Sequence, residues 1–357
     1  MRAAWRNYGC RIQDNLTIYG MRALVMENQL LRITMLVDKG SDIIEFLHKP
    51  TDTDFMWHSP IGLRNPHRMV PSGPRSDGAF LDYYQGGWQE ILPSGGPTSR
   101  SHGAEFGLHG EVCLIPWDSE VVADSPEEIA VRLAVRTYRT PFYLEKTLTL
   151  TADSPVLTMA ERVVNEGAEE LPLMWGHHPT FGPPFLDQAC VIDLPVAPVE
   201  AHSHPISSTS RLAPGAVGKW PKVKGLEGAV DLSRVPANIG HSDLAYVTNV
   251  KAGWAALTST KRRLGFGMTW DPKVFRHVWL WMVYGGNYGH PWYGRTYNLA
   301  IEPWTSYPAG GIAEAIKNGT ALVLGAGQEV STTFRALVYS GVRRVKEITP
   351  EGEVRSA

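Results

Sequence analysis

Apolar and polar residues alternate strictly along Thr147-Leu-Thr-Leu-Thr151 and, less strictly, along Val131-Arg-Leu-Ala-Val-Arg-Thr137. That period of two is the pattern of half-buried antiparallel strands. Asp153-Ser154-Pro155 predicts a turn before the next run, Val156 to Val164, and Asn165-Glu166-Gly167 a second turn before the apolar Leu171 to Trp175. Successive hairpins are the natural reading. Near the end, Ala321 to Leu324, a Gly-rich turn at Gly325 to Gly327 and Glu329 to Tyr339 predict a further strand pair. Helical signal is scarce: the best candidate is Ile312 to Lys317, stopped by Asn318-Gly319.

No repeat or low-complexity linker divides the chain. Pro183 to Asn238, rich in Pro, Gly, Ser and His, reads as long rim loops, and strand-like sequence resumes at Leu244 to Val250 and Trp254 to Leu257 without a change of composition. The expectation is one all-β domain spanning residues 1–357, a large antiparallel β-sandwich.

Composition narrows the function. A hydrophobic share of 43% and a charged share of 20% supply a large core, and 34 Lys+Arg against 36 Asp+Glu leave a formal charge of -2. No broad field draws in nucleic acid or an anionic membrane. Cys10, Cys113 and Cys190 are odd in number and far apart, without zinc-type spacing, and are expected to be reduced core thiols. No apolar run has the length of a signal peptide or a membrane span, so a soluble, cytoplasmic protein is expected. The 12 Trp suit sugar binding, because an aromatic ring offers a flat face to sugar C–H groups while polar neighbours read the hydroxyls.

Three segments gather polar groups at predicted strand ends: Gly107-Leu-His109-Gly-Glu111, Trp175-Gly-His177-His178-Pro-Thr-Phe181 and Ile301-Glu302-Pro-Trp304. Imidazoles and a carboxylate converging from such ends can move protons, since their ordinary pKa values bracket the working range. Glu302 stands in an unusually apolar setting for an idle carboxylate. Successive strand residues face opposite ways, so one of His177 and His178 is expected to be a satisfied core imidazole, and His178 is the stronger site candidate. Trp88 and Trp304, beside the polar motifs, are the sugar-stacking candidates; Trp279 and Trp281 share one strand face and read as core. His202 and His204 in their Pro/Ser-rich loop read as incidental. His109, Glu111 and His177 or His178 form a set that a divalent metal accepts, but the reading carries no metal. No P-loop, dinucleotide fingerprint or nucleophile elbow is present, so no cofactor is expected.

The order Leu-His-Gly at His109, His-Pro-x-Phe at His178, then Glu-Pro at Glu302 resembles the galactose mutarotase (aldose 1-epimerase) superfamily. The resemblance implies a supersandwich fold and anomerisation of a free monosaccharide or derivative. It implies His178 as the acid that protonates the ring oxygen and Glu302 as the base that takes the anomeric hydroxyl proton. By the same resemblance His109 becomes a second histidine on the ring-oxygen side and Asp243 a hydroxyl ligand. Glu111 and His177 depart from the family pattern and add polar capacity, and with Trp88, Gln89 and Trp304 they complete the candidate binding set. The superfamily's upstream Arg has no counterpart; Gly86-Gly-Trp88-Gln89-Glu90-Ile-Leu-Pro resembles an uncharacterised bacterial branch.

Two other readings stay open: a hydrolase or lyase on the same fold, with Glu302 and Glu111 as its carboxylate pair, and a non-catalytic carbohydrate-binding module. A homodimer also stays open. The mutarotase reading makes geometric demands. His109, His178 and Glu302 must open into one concave pocket bordered by Trp88 or Trp304, His178 and Glu302 must stand across a sugar-sized gap, and His177 must point away.

Overall fold

The computed structural model describes residues 6–68 and 77–357. Two large antiparallel sheets dominate it, one of 14 strands and one of 8. Their facing sides interlock: Trp88, Phe181, Leu280 and Ile301 of the larger sheet share a core with Leu144, Leu148, Leu157, Phe266 and Phe334 of the smaller. Edge-to-face ring pairs cross the interface, among them Trp88 on Phe334 at 5.5 Å and Phe46 on Phe266 at 4.9 Å between centroids. The all-β antiparallel sandwich read from the sequence is the observed fold.

The alternating segments behave as their period requires. Glu128–Arg136 and Phe142–Thr151 pair in register and bury every second residue. Lys146 is an exception in type, a buried ammonium on the inter-sheet face whose partner is described below. The helix Ile312–Lys317 is present and ends at Asn318. Cys10, Cys113 and Cys190 are free and buried, and burial pushes each thiol up.

Three expectations about pairing and loops need correction. The strand Leu171–Leu173 pairs with Leu322–Leu324, while Glu329–Ser340 pairs with Val156–Asn165, so two predicted hairpins are replaced by long-range pairs. Asn165 welds the crossing by donating its amide to the carbonyls of Glu169, Leu324 and Gly325. Residues 183–238 also hold strands: Cys190–Asp193 at one edge of the smaller sheet, and Pro198–Ala201, Val217–Lys219, Lys222–Gly225 and Gly228–Asp231 extending the larger. Each is three or four residues long, too short for alternation to stand out against turn residues.

Four adjacent strands of the larger sheet build the site: Gly176–Phe181, Tyr297–Trp304, His277–Tyr284 and His241–Val247. Parity sorts their side chains. Phe181, Leu280, Met282, Leu299, Ile301, Ala245 and Val247 face the inter-sheet core. Trp279, Trp304 and Tyr246 face the other way, into a second aromatic cluster with Trp57, Tyr84 and Trp292.

Candidate active site

Above that second face lies a cavity of about 430 Å³, lined among others by Phe80, Tyr84, His109, His178, Trp279, Trp281, Trp292 and Glu302. The three residues that carried the sequence argument, His109, His178 and Glu302, therefore meet in one pocket. Among the described lining residues Glu302 is the one carboxylate, and there is no Lys or Arg.

The expected gap between His178 and Glu302 is absent. Their strands are neighbours, with Gly176 opposite Trp304 and Thr180 opposite Ala300, which sets residue 178 against residue 302 on the same face. Cross-strand side chains start only about 5 Å apart at Cβ, and His178 Nε2 lies 3.5 Å from Glu302 Oε1. The two groups stand side by side on the cavity floor.

Burial sets their protonation. Desolvation lifts the Glu302 carboxyl to about 8, opposed by the Trp304 indole N–H, which donates to Oε2 at 3.0 Å. Desolvation lowers the His178 imidazole to about 4. At neutral pH the pair is a carboxylic acid beside a neutral imidazole. The Tyr84 hydroxyl and Thr180 Oγ1 lie 3.3 and 3.2 Å from His178 Nδ1 and 2.7 Å from each other, so either can donate to that nitrogen or accept from it.

His109 is held by the loop that carries it. Its backbone adopts φ 61° and its N–H donates to Gly96 O at 3.0 Å, while the Gly96 N–H donates to Nδ1 at 3.2 Å. Burial and the nearby His178 hold the ring well below its ordinary pKa. With Nδ1 accepting, the neutral ring carries its proton on Nε2 as a donor.

Several candidate residues lie elsewhere. Trp88, expected at the pocket, is in the inter-sheet core, where its indole N–H donates to His177 Nδ1 at 3.2 Å. His177, placed in the candidate binding set, instead points away from the pocket as strand parity requires, and its Nε2 donates to Glu161 Oε2 at 3.1 Å. Glu111 accepts the backbone N–H groups of Tyr138 and Arg139. Gln89 donates to Asp42 Oδ2 and Gly86 O. Asp243 shares strand parity with Ala245 and Val247, and it is closed off by Arg211 and Ser210. None of these five, Glu111, Gln89, His177, Asp243 and Trp88, lines the cavity.

Trp304 takes a different part from the one expected. It is sandwiched against Trp279, with centroids 4.0 Å apart and planes 15° apart, and a Cβ on Gly176 or Gly95 would come within 2.2 or 2.4 Å of its ring. It is a wedged anchor for Glu302. The open indole belongs to Trp281, read from sequence as core, which is only partly buried beneath the cavity. Sequence reasoning also missed Tyr84, Trp292, Asn287 and His202, which lines the cavity and meets the Tyr246 hydroxyl at 2.6 Å through Nδ1. All four lie outside the strands, with no local motif to mark them.

The set His109, Glu111 and His177 is not assembled as a metal site. Glu90, Glu161 and His177 do place ligand atoms within 4.8 Å of one another between the sheets. Lys146 already supplies a cation there, donating to Glu90 Oε2 at 2.9 Å, and the Trp175 indole donates to Glu90 Oε1 at 2.9 Å. Among the described residues no helix is long and apolar enough to cross a membrane.

Residues 19–338 match the protein family described as a domain of unknown function (DUF4432). No curated protein matches the chain in sequence. Among solved structures, a putative aldose 1-epimerase from Klebsiella pneumoniae superposes with a TM-score of 0.72 at 16% identity, over 92% of this chain and 83% of its own. A galactose mutarotase-like protein from Clostridium acetobutylicum gives 0.64 at 12% identity, over 93% and 99%. A galactose mutarotase related enzyme from Lactobacillus acidophilus gives 0.57 at 16%, over 88% and 97%. These likenesses establish the galactose mutarotase-like fold.

Proposed function

The chain belongs to the DUF4432 family, and for this member we propose interconversion of the anomers of a free sugar by acid–base ring opening on His178 and Glu302. The observation that supports the reading is the meeting of His109, His178 and Glu302 in one aromatic cavity, where the imidazole and the carboxyl lie 3.5 Å apart in place of the expected gap. The anomeric centre of a cyclic sugar bears two oxygens on one carbon, O1 and O5. Two proton-transfer groups set side by side can address both at once; groups on opposite walls would address atoms on opposite sides of the ring.

The starting protonation reverses the roles that the resemblance implies. His178, neutral, takes the O1 proton; Glu302, a carboxylic acid, gives its proton to O5 as the C1–O5 bond breaks. The product is the open-chain aldehyde. After rotation about C1–C2, the O5 hydroxyl attacks the other face of the carbonyl, its proton returns to Glu302, and the carbonyl oxygen recovers a proton from His178. Protons given and taken balance, no covalent adduct forms, and the N–H on His109 Nε2 is available to a sugar oxygen. Proton transfer needs each group within about 2.6–3.2 Å of its oxygen.

The hydrolase reading loses support because it needs two carboxyl groups across the scissile bond, and Glu111 is engaged outside the cavity. The test is anomer-exchange NMR over a panel of free pentoses, hexoses and 6-deoxy sugars. Wild-type protein should accelerate exchange of at least one, and Glu302→Gln should slow it by about 100-fold or more while sugar binding persists. Binding without exchange by the wild type would make the protein a sugar-binding module, and an equally active Gln variant would remove Glu302 from the chemistry.

A further inference from the structure

Parity divides the strand His241–Val247 between two cavities. Leu244 lines the candidate active site, whereas His241, of opposite parity, lines a second cavity of about 440 Å³, within the range of about 300–1,000 Å³ usual for small-molecule sites. Its wall brings Arg211, Glu227 and His241 together with the apolar Leu226, Ala229 and Val230. The Arg211 guanidinium is held rigid: Nε donates to Asp243 Oδ2 at 2.8 Å, Nη2 lies 2.7 Å from the same oxygen, and the group sits over the Tyr284 ring. Asp243 is fully buried, and its other oxygen accepts from Ser210 Oγ and the Arg211 backbone N–H. Nη1 of Arg211 has no acceptor among the described residues, and the side chain keeps 19% of its surface exposed. Glu227 has no ion-pair partner among the described residues. His241 Nδ1 donates to Thr209 O at 3.0 Å, so in the neutral ring Nε2 is a bare acceptor.

We propose that this second cavity is a binding site for a free α-amino acid. The open edge of the Arg211 guanidinium takes the carboxylate, Glu227 and His241 Nε2 take the ammonium, and Leu226, Ala229 and Val230 meet the side chain. Charge selects this class. Among the described lining residues Arg211 and Glu227 are the only Lys, Arg, Asp or Glu, and Asp243 behind the wall already balances Arg211. Glu227 therefore leaves a net negative charge, which opposes a lone carboxylate or phosphate, while the guanidinium edge opposes a lone amine. A zwitterion offers each group its opposite and adds no net charge. The two charges lie near enough to serve one small molecule, since the Leu226 N–H donates to Arg211 O at 2.8 Å, yet they make no ion pair with each other. Leu226 itself is 67% exposed, a large apolar side chain that such a ligand would cover. The proposal is independent of the reaction at His178 and Glu302.

The experiment is calorimetric titration with a panel of the common free L-amino acids and, for the tightest binder, with its 2-hydroxy acid and its decarboxylated amine. At least one amino acid should bind with a Kd of about 1 mM or tighter, and loss of either charged end should weaken binding about tenfold or more. Glu227→Gln, at an exposed position, should weaken the amino acid by a similar factor while leaving the 2-hydroxy acid bound no more weakly, with a thermal melt to show that the variant is folded. Glu302→Gln, in the other cavity, should bind the amino acid as the wild type does. Wild-type protein that binds no member of the panel overturns the proposal without recourse to any variant. A hydroxy acid or amine that binds as tightly as the amino acid overturns it also, as does a Glu227→Gln variant of unchanged affinity. Loss of binding in Glu302→Gln would place the ligand in the candidate active site and defeat the proposal.

Discussion

Glu302→Gln probes the ionisation of the site through stability, independently of any substrate. In the unfolded chain this carboxyl loses its proton near its ordinary value of 4.5; in the folded protein burial holds the proton until about 8. Below 4.5 both states are protonated and folding is indifferent to pH. Between 4.5 and 8 the unfolded chain has released a proton that the folded one keeps, so stability falls as pH rises, and the loss levels off above 8. Each pH unit in that window costs about 1.4 kcal/mol, giving roughly 3 kcal/mol at pH 7 and about 5 kcal/mol above pH 8. Gln has no proton to lose, matches Glu in shape, and its amide oxygen can still accept the Trp304 N–H now 3.0 Å from Oε2. Urea unfolding of both proteins at pH 4.5, 7 and about 9 should show a stability gap in favour of the variant that grows from near zero to about 3 and then about 5 kcal/mol. His178 titrates in both chains and largely cancels. A gap absent at pH 7, or one of constant size at all three pH values, would refute the claim that Glu302 is held protonated.

The rate of anomer exchange should be flat between about 4 and about 8, falling below as His178 gains a proton and above as Glu302 loses one, and a pH–rate profile reads both limits. Trp304→Phe removes the indole N–H that lowers the Glu302 pKa, so the alkaline limit should move up while the acid limit stays; an unmoved alkaline limit would show that the bond does not act on Glu302. Gly176→Ala places a Cβ 2.2 Å from the Trp304 ring, and chemical denaturation should register a loss of about 1–3 kcal/mol. Exhaustive chelation should leave exchange intact, because proton transfer between these groups needs no Lewis acid. Loss restored by one divalent cation would turn attention to Glu90, Glu161 and His177.

Sequence was most informative where one physical signal dominates. Alternation over 131–137 and 147–151 marked parts of the strands Glu128–Arg136 and Phe142–Thr151, because each strand buries one face more deeply than the other. The site's strands are covered on both faces: Gly176–Phe181 is buried throughout and Tyr297–Trp304 nearly so, so alternation of polarity was lost and motif order had to locate His178 and Glu302. Parity still predicted that His177 and His178 would part, and they do. The tryptophans went the other way. Adjacency to a polar motif recommended Trp88 and Trp304, yet Trp88 shares parity with Glu90 on the inter-sheet face and Trp304 is pinned by Gly176 and Gly95. Trp281, without a polar neighbour in sequence, is the one left open to the cavity.

The placement of His178 depends on its neighbour. A slip of one residue in the strand Gly176–Phe181 would exchange His177 and His178 between faces, and hydrophobicity alone would resist it weakly because both faces of this strand are covered. What opposes the slip is polar and directional. His177 accepts from Trp88 on the adjoining strand and donates to Glu161 of the facing sheet, so its ring is held from two directions. Glu90, also facing the smaller sheet from the strand next to His177, is closed by Lys146 and Trp175. A displaced strand would leave Glu161 without its imidazole donor in the core and carry His178 away from Tyr84 and Glu302. Leaving a buried polar group without its partner costs about 1–3 kcal/mol or more, which sets the register that the pocket requires. The inter-sheet cluster of polar groups thus acts on the pocket from the opposite side of the sheet, by deciding which of two adjacent histidines faces the cavity.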